Sequence, residues 1–64
     1  MNQIVSELRQ CREAAGLTIT EVARRMGTDR ARISEIEHGR GGLTLKRMLA
    51  YADAIGVKVT IKFE

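Results

Sequence analysis

Apolar positions recur at helical spacing through most of the chain and alternate only at its end. Ile4, Leu8, Cys11 and Ala15 follow one another at steps of four, three and four, one face of a helix over residues 2–15, and Gly16 suits its C-terminus. On that face Cys11 reads as a small buried apolar residue. Thr18 and Glu21 have the spacing of a capping box, in which the hydroxyl accepts from the third helical amide and the carboxylate reaches back. A second helix runs from there to Met26, with Val22, Ala23 and Met26 inward, and Gly27 ends it. Asp29 or Thr28 can cap a third helix, which turns Ile33 and Ile36 inward and ends before Gly39. Residues 40–42 read as a short loop. Thr44 can cap a fourth helix whose stripe is Leu45, Met48, Leu49, Ala52 and Ile55, stopped by Gly56. The chain has no proline, so nothing forbids four helices in series.

The closing stretch, VKVTIKFE, changes period. Val57, Val59, Ile61 and Phe63 alternate with Lys58, Thr60, Lys62 and Glu64, which predicts a strand. No other segment has that pattern, so the strand lacks a partner within the chain. An antiparallel pairing with a second copy about a two-fold axis supplies one, which makes residues 57–64 a dimerisation element and residues 1–56 the rest of the domain. The alternatives are an unordered tail or a strand lying along the chain's own core. Helix 4 around Tyr51 is the other surface on which a dimer can form.

Length sharpens this expectation. Sixty-four residues make one domain at most, and a chain of that size buries only about 60% of its unfolded surface. Stability then rests on helix packing or on association. One cysteine allows no internal disulfide and fits a reducing cytoplasm. One thiol and one histidine cannot build a structural zinc site, and no cofactor is implied. No apolar run approaches the roughly 18 residues of a membrane span, and MNQIVSELRQ is no secretory signal, so the expectation is a cytoplasmic protein. Residues 24–47 hold seven basic and three acidic groups, +4, whereas the remainder is −1. A basic middle suits a polyanion, although a solvated helical surface explains the charge equally well. Nothing suggests an enzyme: His38 sits beside a helix-ending glycine, and no phosphate-cradling glycine loop precedes a lysine. His38 is expected to interact with the end of its own helix.

Two short helices separated by Gly27-Thr28-Asp29 form a helix-turn-helix pattern. LTITEVARRMGTDRARISEIEHG followed by LTLKRMLAYADAIGV resembles the Xre or Cro/repressor helix-turn-helix family over roughly residues 4–57. The matching marks are Leu17-Thr18, Glu21, Ala23, Gly27, Ile33-Ser34, Ile36-Glu37 and Gly39, then Leu45, Leu49 and Ala52. The resemblance implies an all-α, lambda-repressor-like domain of four or five helices, to which the C-terminal strand is added. It implies a helix over about residues 29–38 in the DNA major groove, and a homodimer on an inverted-repeat operator. It also implies a sequence-specific regulator of transcription, most simply a repressor. Small antitoxins share this plan, which leaves a protein-interaction module with a cognate toxin as the alternative.

By the same resemblance Asp29, Arg30, Ala31 and Glu35 face the base edges, with Arg32 and Ser34 close by. Arg30 is the foremost base reader, since its fork can bond O6 and N7 of guanine; Ala31 suits a thymine methyl. Glu35 either accepts from a cytosine amino group or steers Arg32, and Arg32 suits a phosphate as well as a base. The family often has a glutamine where this chain has Ile19, which puts that backbone contact on Thr20 or on the helix 2 amides instead. Arg40 matches a basic phosphate-binding position, and Arg24, Thr28, Lys46 and Arg47 add to the set. Arg12 and Glu37 resemble a partly buried salt bridge that holds the third helix in place. Gly41-Gly42-Leu43 stands where the family often has a proline.

Overall fold

Thr18, Asp29 and Thr44 each begin a helix, as their positions before apolar periodicity predict. Each has extended backbone, and its side-chain oxygen accepts from the amide three residues on: Glu21, Arg32 and Arg47 respectively. Such a cap stabilises a helix by typically ~1 kcal/mol, a large share for helices of eight to ten residues. The computed structural model describes residues 3–40 and 44–60. Within them α1 spans Gln3–Ala14, α2 Ile19–Met26, α3 Arg30–Glu37 and α4 Leu45–Ala54. The described residues are thus all-helical, with four helices, no fifth helix and no strand.

Gly27 links α2 to α3. Its φ of 69° is left-handed, and its amide reaches back to the carbonyls of Ala23 and Arg24. A side chain there would strain the backbone, so glycine is what lets the chain turn within three residues into α3.

α2 packs on both α3 and α4, and α1 packs on α3. Leu8, Val22, Ala23, Ile33, Ile36, Tyr51, Ala52 and Ile55 form the buried core, with Leu17, Ile19, Met26, Met48, Ala54 and Val57 packed against it. The inward residues expected of α2 and α3 are therefore in place.

The face expected of α1 is rotated. Val5, Leu8 and Arg12 are buried, whereas Ile4 is 51% exposed and Cys11 and Ala15 are exposed. The steps of three and four from Val5 fit a helix as well as those from Ile4 do. What decides between them is Arg12, whose ion pair with Glu37 draws its side of the helix inward. Cys11 is consequently an exposed free thiol rather than a core residue.

α4 buries Tyr51, Ala52 and Ile55 and leaves Leu45 and Leu49 52% and 40% exposed. Tyr51 is 1% exposed, which removes it as a surface for a dimer. Residues 57–60 are irregular chain and not a strand. A strand is held by a ladder to a neighbour, and the described residues of one copy offer none. Val57 is half-buried against the core, and its amide bonds the carbonyl of Ala52, so α4's own end captures it. Val59 remains on the surface, beside a groove of about 320 Å³ that Ile4, Leu8, Leu45, Met48 and Leu49 also line. Ile61 and Phe63 of the expected dimerisation face lie outside the described residues.

Candidate nucleic-acid interface

The sequence of α3, RARISEIE, has two large apolar side chains, Ile33 and Ile36, and both are buried. The opposite side is what remains. Arg30, Ala31 and Arg32 are exposed in its first turn, and Ser34 and Glu35 are half-buried further along. Asp29 is exposed but occupied, since its Oδ1 accepts from the Arg32 amide at 2.9 Å. No ion pair joins Arg32 to Glu35 among the described residues. His38 Nδ1 lies 2.8 Å from the Ser34 carbonyl, the helix-end role expected of it.

Two clefts flank this helix. One, of about 570 Å³, is lined by Arg30 together with the end of α1 and Thr18, Ile19 and Thr20 at the start of α2. The other, of about 400 Å³, is lined by Thr28, Arg32 and Ile36 on one side and Thr44, Lys46, Arg47 and Ala50 on the other. Among the described residues the second cleft has three cationic side chains in its lining and no carboxylate. The structure therefore groups Arg32 with Thr28, Lys46 and Arg47, and Arg30 with Thr20. Arg24 and Arg40 are exposed and line neither cleft. Ile19, the departure from the family's glutamine, packs against the core, so its side chain is not a polar arm of the first cleft.

Behind α3 lies a buried polar cluster. The Arg12 guanidinium donates from Nε to Glu37 Oε2 at 2.6 Å and from Nη2 to Oε1 at 3.2 Å, a forked pair with the carboxylate at the end of α3. Its Nη1 donates to the Leu17 carbonyl at 2.8 Å. The side chains of Arg12 and Glu37 are 10% and 4% exposed. The hydrogen bond to Glu37 holds the proton on Arg12 more tightly than usual, against the opposing effect of burial. Tyr51, from α4, donates its hydroxyl to Glu37 Oε2 at 2.5 Å. The pairing of Arg12 with Glu37 was expected, but the third partner was not. Tyr51 lies on the inward flank of α4, beside Ala52, and a buried phenol needs a partner for its polar tip. That requirement is the only sign of it in the sequence. A second tie was not foreseen either: Arg25 on α2 donates to the carbonyl of Ala54, the last residue of α4, at 2.9 Å.

Tyr51 is the one tyrosine of the chain, which makes its ionisation directly observable. Burial first, then its bond to Glu37, push the phenol well above its ordinary 10.0, with Arg12 pulling the other way. The folded pKa exceeds the unfolded one. The stabilisation is therefore complete below about pH 10 and is lost as pH rises through the folded value. In an alkaline titration, tyrosinate absorbance is expected to appear only together with loss of helical circular dichroism. A phenol that ionises near its free value with the helices intact would mean that the hydroxyl is solvated.

No helix among the described residues is long and apolar enough to cross a membrane. A family model described as helix-turn-helix matches residues 8–61, and the chain belongs to this family, the Xre or Cro-like helix-turn-helix proteins, which are DNA-binding regulators. Neither a curated protein nor a solved structure matched it.

Proposed function

We propose that this protein is a sequence-specific double-stranded DNA-binding regulator, a repressor that binds an inverted-repeat operator as a homodimer with α3 in the major groove. The observation that carries the reading is the exposed first turn of α3, Arg30-Ala31-Arg32, standing between two clefts whose rims suit phosphate. A major groove about 12 Å wide admits one helix, and a helix so placed has a phosphate strand on either side. Arg30 reads a guanine and Ala31 meets a thymine methyl. Ser34 and Glu35 act at the edge of that face. Asp29 serves first as the cap that orients them. Arg32 belongs with Thr28, Lys46 and Arg47 on one strand, and Thr20 with the α2 amides on the other. Arg24 and Arg40 are outlying backbone contacts. Exposed Ile4, Leu45, Leu49 and Val59 support association with a second copy, in which residues 57–64 pair across the two-fold axis.

The test is selection from a random duplex library, followed by binding of the winner at two salt concentrations. Enrichment of an inverted repeat, with half-sites about one turn apart and affinity falling steeply with salt, is the expected result. No enrichment would sink this reading. It would favour the alternative, an antitoxin-like module whose main partner is a protein, to which the core-packed Ile19 also leans. On the selected site, Arg30→Ala is expected to lose about 1–3 kcal/mol of discrimination at one or two base pairs. A uniform loss across all sequences would make Arg30 a phosphate contact instead.

A further inference from the structure

α3 and α4 are the two walls of the cationic cleft, yet they touch each other little along their backbones; each is packed chiefly on α2. Their relative pose is therefore set by the apolar core that both enter and, among the described residues, by few directional contacts. One of these is the bond from the Tyr51 hydroxyl to Glu37. It joins the last residue of α3 to a point on α4 just past Ala50, which lines that cleft. Glu37 does not need this bond to be neutralised, because Arg12 already engages both of its oxygens. What the hydroxyl adds is a third helix. The Arg12 pair ties α3 to α1, and Tyr51 extends the cluster to α4.

We propose that Tyr51 is a positioning residue for DNA recognition: its hydroxyl cross-ties α3 to α4 through Glu37. The tie sets the angle between the base-reading first turn of α3 and the Thr44-Lys46-Arg47 phosphate clamp on α4. The DNA half of this statement rests on the function proposed above. With the tie in place, a base contact and a phosphate contact are satisfied together only on a duplex of the right sequence. Without it, either contact forms alone, and selectivity drops more than general attraction to phosphate does.

The variant is Tyr51→Phe in the full chain, which removes only the hydroxyl and leaves the ring in the core and Glu37 paired with Arg12. It is measured well below the melting temperature of both proteins. In the free protein, amide NMR spectra and hydrogen exchange are expected to change along Arg30–Glu37 and at Thr44–Arg47, beyond the general increase in exchange seen in α2. Changes confined to the neighbours of Tyr51 on α4 would overturn the proposal.

On DNA, the affinity ratio of the selected duplex to a scrambled one is expected to fall roughly three- to thirty-fold, with the scrambled duplex bound nearly as before. A ratio equal to that of the unmodified chain, or an equal loss on both duplexes, would also overturn it. If the unmodified chain shows no preference for any duplex, the DNA reading fails by itself, and the amide spectra alone decide whether Tyr51 positions α3. Should Tyr51→Phe not fold, fluorotyrosine incorporated at this one tyrosine replaces it. Its single resonance is then expected to move on binding the selected duplex and not the scrambled one. The same resonance in both complexes would count against the proposal.

Discussion

Glu37→Ala is expected to remove a large part of the chain's folding stability, on the order of half of it or more. The substitution strands the Arg12 guanidinium, whose side chain is 10% exposed, without the carboxylate that neutralises it, and it takes the acceptor from the Tyr51 hydroxyl as well. Breaking a buried pair by removing one partner costs on the order of 3–5 kcal/mol. Small domains are stable by roughly 0.05–0.15 kcal/mol per residue, which for a chain of this size is about 3–10 kcal/mol. The loss is therefore comparable with the whole. Urea or thermal unfolding followed by circular dichroism measures it. The companion experiment replaces both partners, Arg12→Met with Glu37→Leu, which removes the stranded charge as well as the pair. That double variant is expected to recover a good part of the lost stability, because apolar residues of similar volume often substitute for a buried pair at little cost. A midpoint for Glu37→Ala within a degree or two of the unmodified chain would show that water reaches Arg12 freely.

This cluster also marks where the sequence stops being readable. Caps, turns and the inward residues of α2 and α3 follow from local rules, and the structure places them as those rules direct. Gly27 and the caps at Thr18, Asp29 and Thr44 are such cases, since each is decided within four residues of itself. The face of α1 is not a local matter. Two apolar registers, from Ile4 or from Val5, satisfy the helical period, and an arginine on the inner side contradicts a reading based on hydrophobicity. Only the contact between Arg12 and Glu37, 25 positions apart, settles the register. The same holds for Tyr51 and for Arg25, which act on partners 14 and 29 positions away. The end of the chain fails for a different reason. Alternation at Val57, Val59, Ile61 and Phe63 signals strand capacity, but pairing needs a neighbour, and in the single chain Val57 packs on its own core instead. The candidate site was legible as a set of residue types at helical spacing. Its division into two clefts was not, because Arg30 and Arg32 are only two positions apart and yet face different walls.

The second large effect concerns what keeps α3 on the body of the protein. Six of its eight residues are polar, alanine or charged, and its attachment depends on Ile33 and Ile36. Ile33 is 0% exposed and sits in the core among Val22, Tyr51 and Ala52. Truncating a buried isoleucine to alanine costs about 2–5 kcal/mol, through lost transfer energy and the cavity left behind. For a domain of this size that lowers the melting temperature by roughly 10 °C or more. Ile33→Val, which removes one methyl group, is expected to cost only about 0.5–1.5 kcal/mol and so provides the graded control. Arg30→Ala, on the exposed side of the same helix, should leave the free protein's melting temperature nearly unchanged, since surface substitutions are usually within about 0.5 kcal/mol. The three variants therefore separate holding the helix from using it. Because a ligand that binds only the folded state stabilises it by mass action, adding the selected duplex should restore much of the melting temperature of Ile33→Ala. It should do less for Arg30→Ala, which lacks the contact itself. If Ile33→Ala melted like the unmodified chain, the core would not be what seats α3, and its docking would have to be attributed to the polar cluster at Glu37 alone.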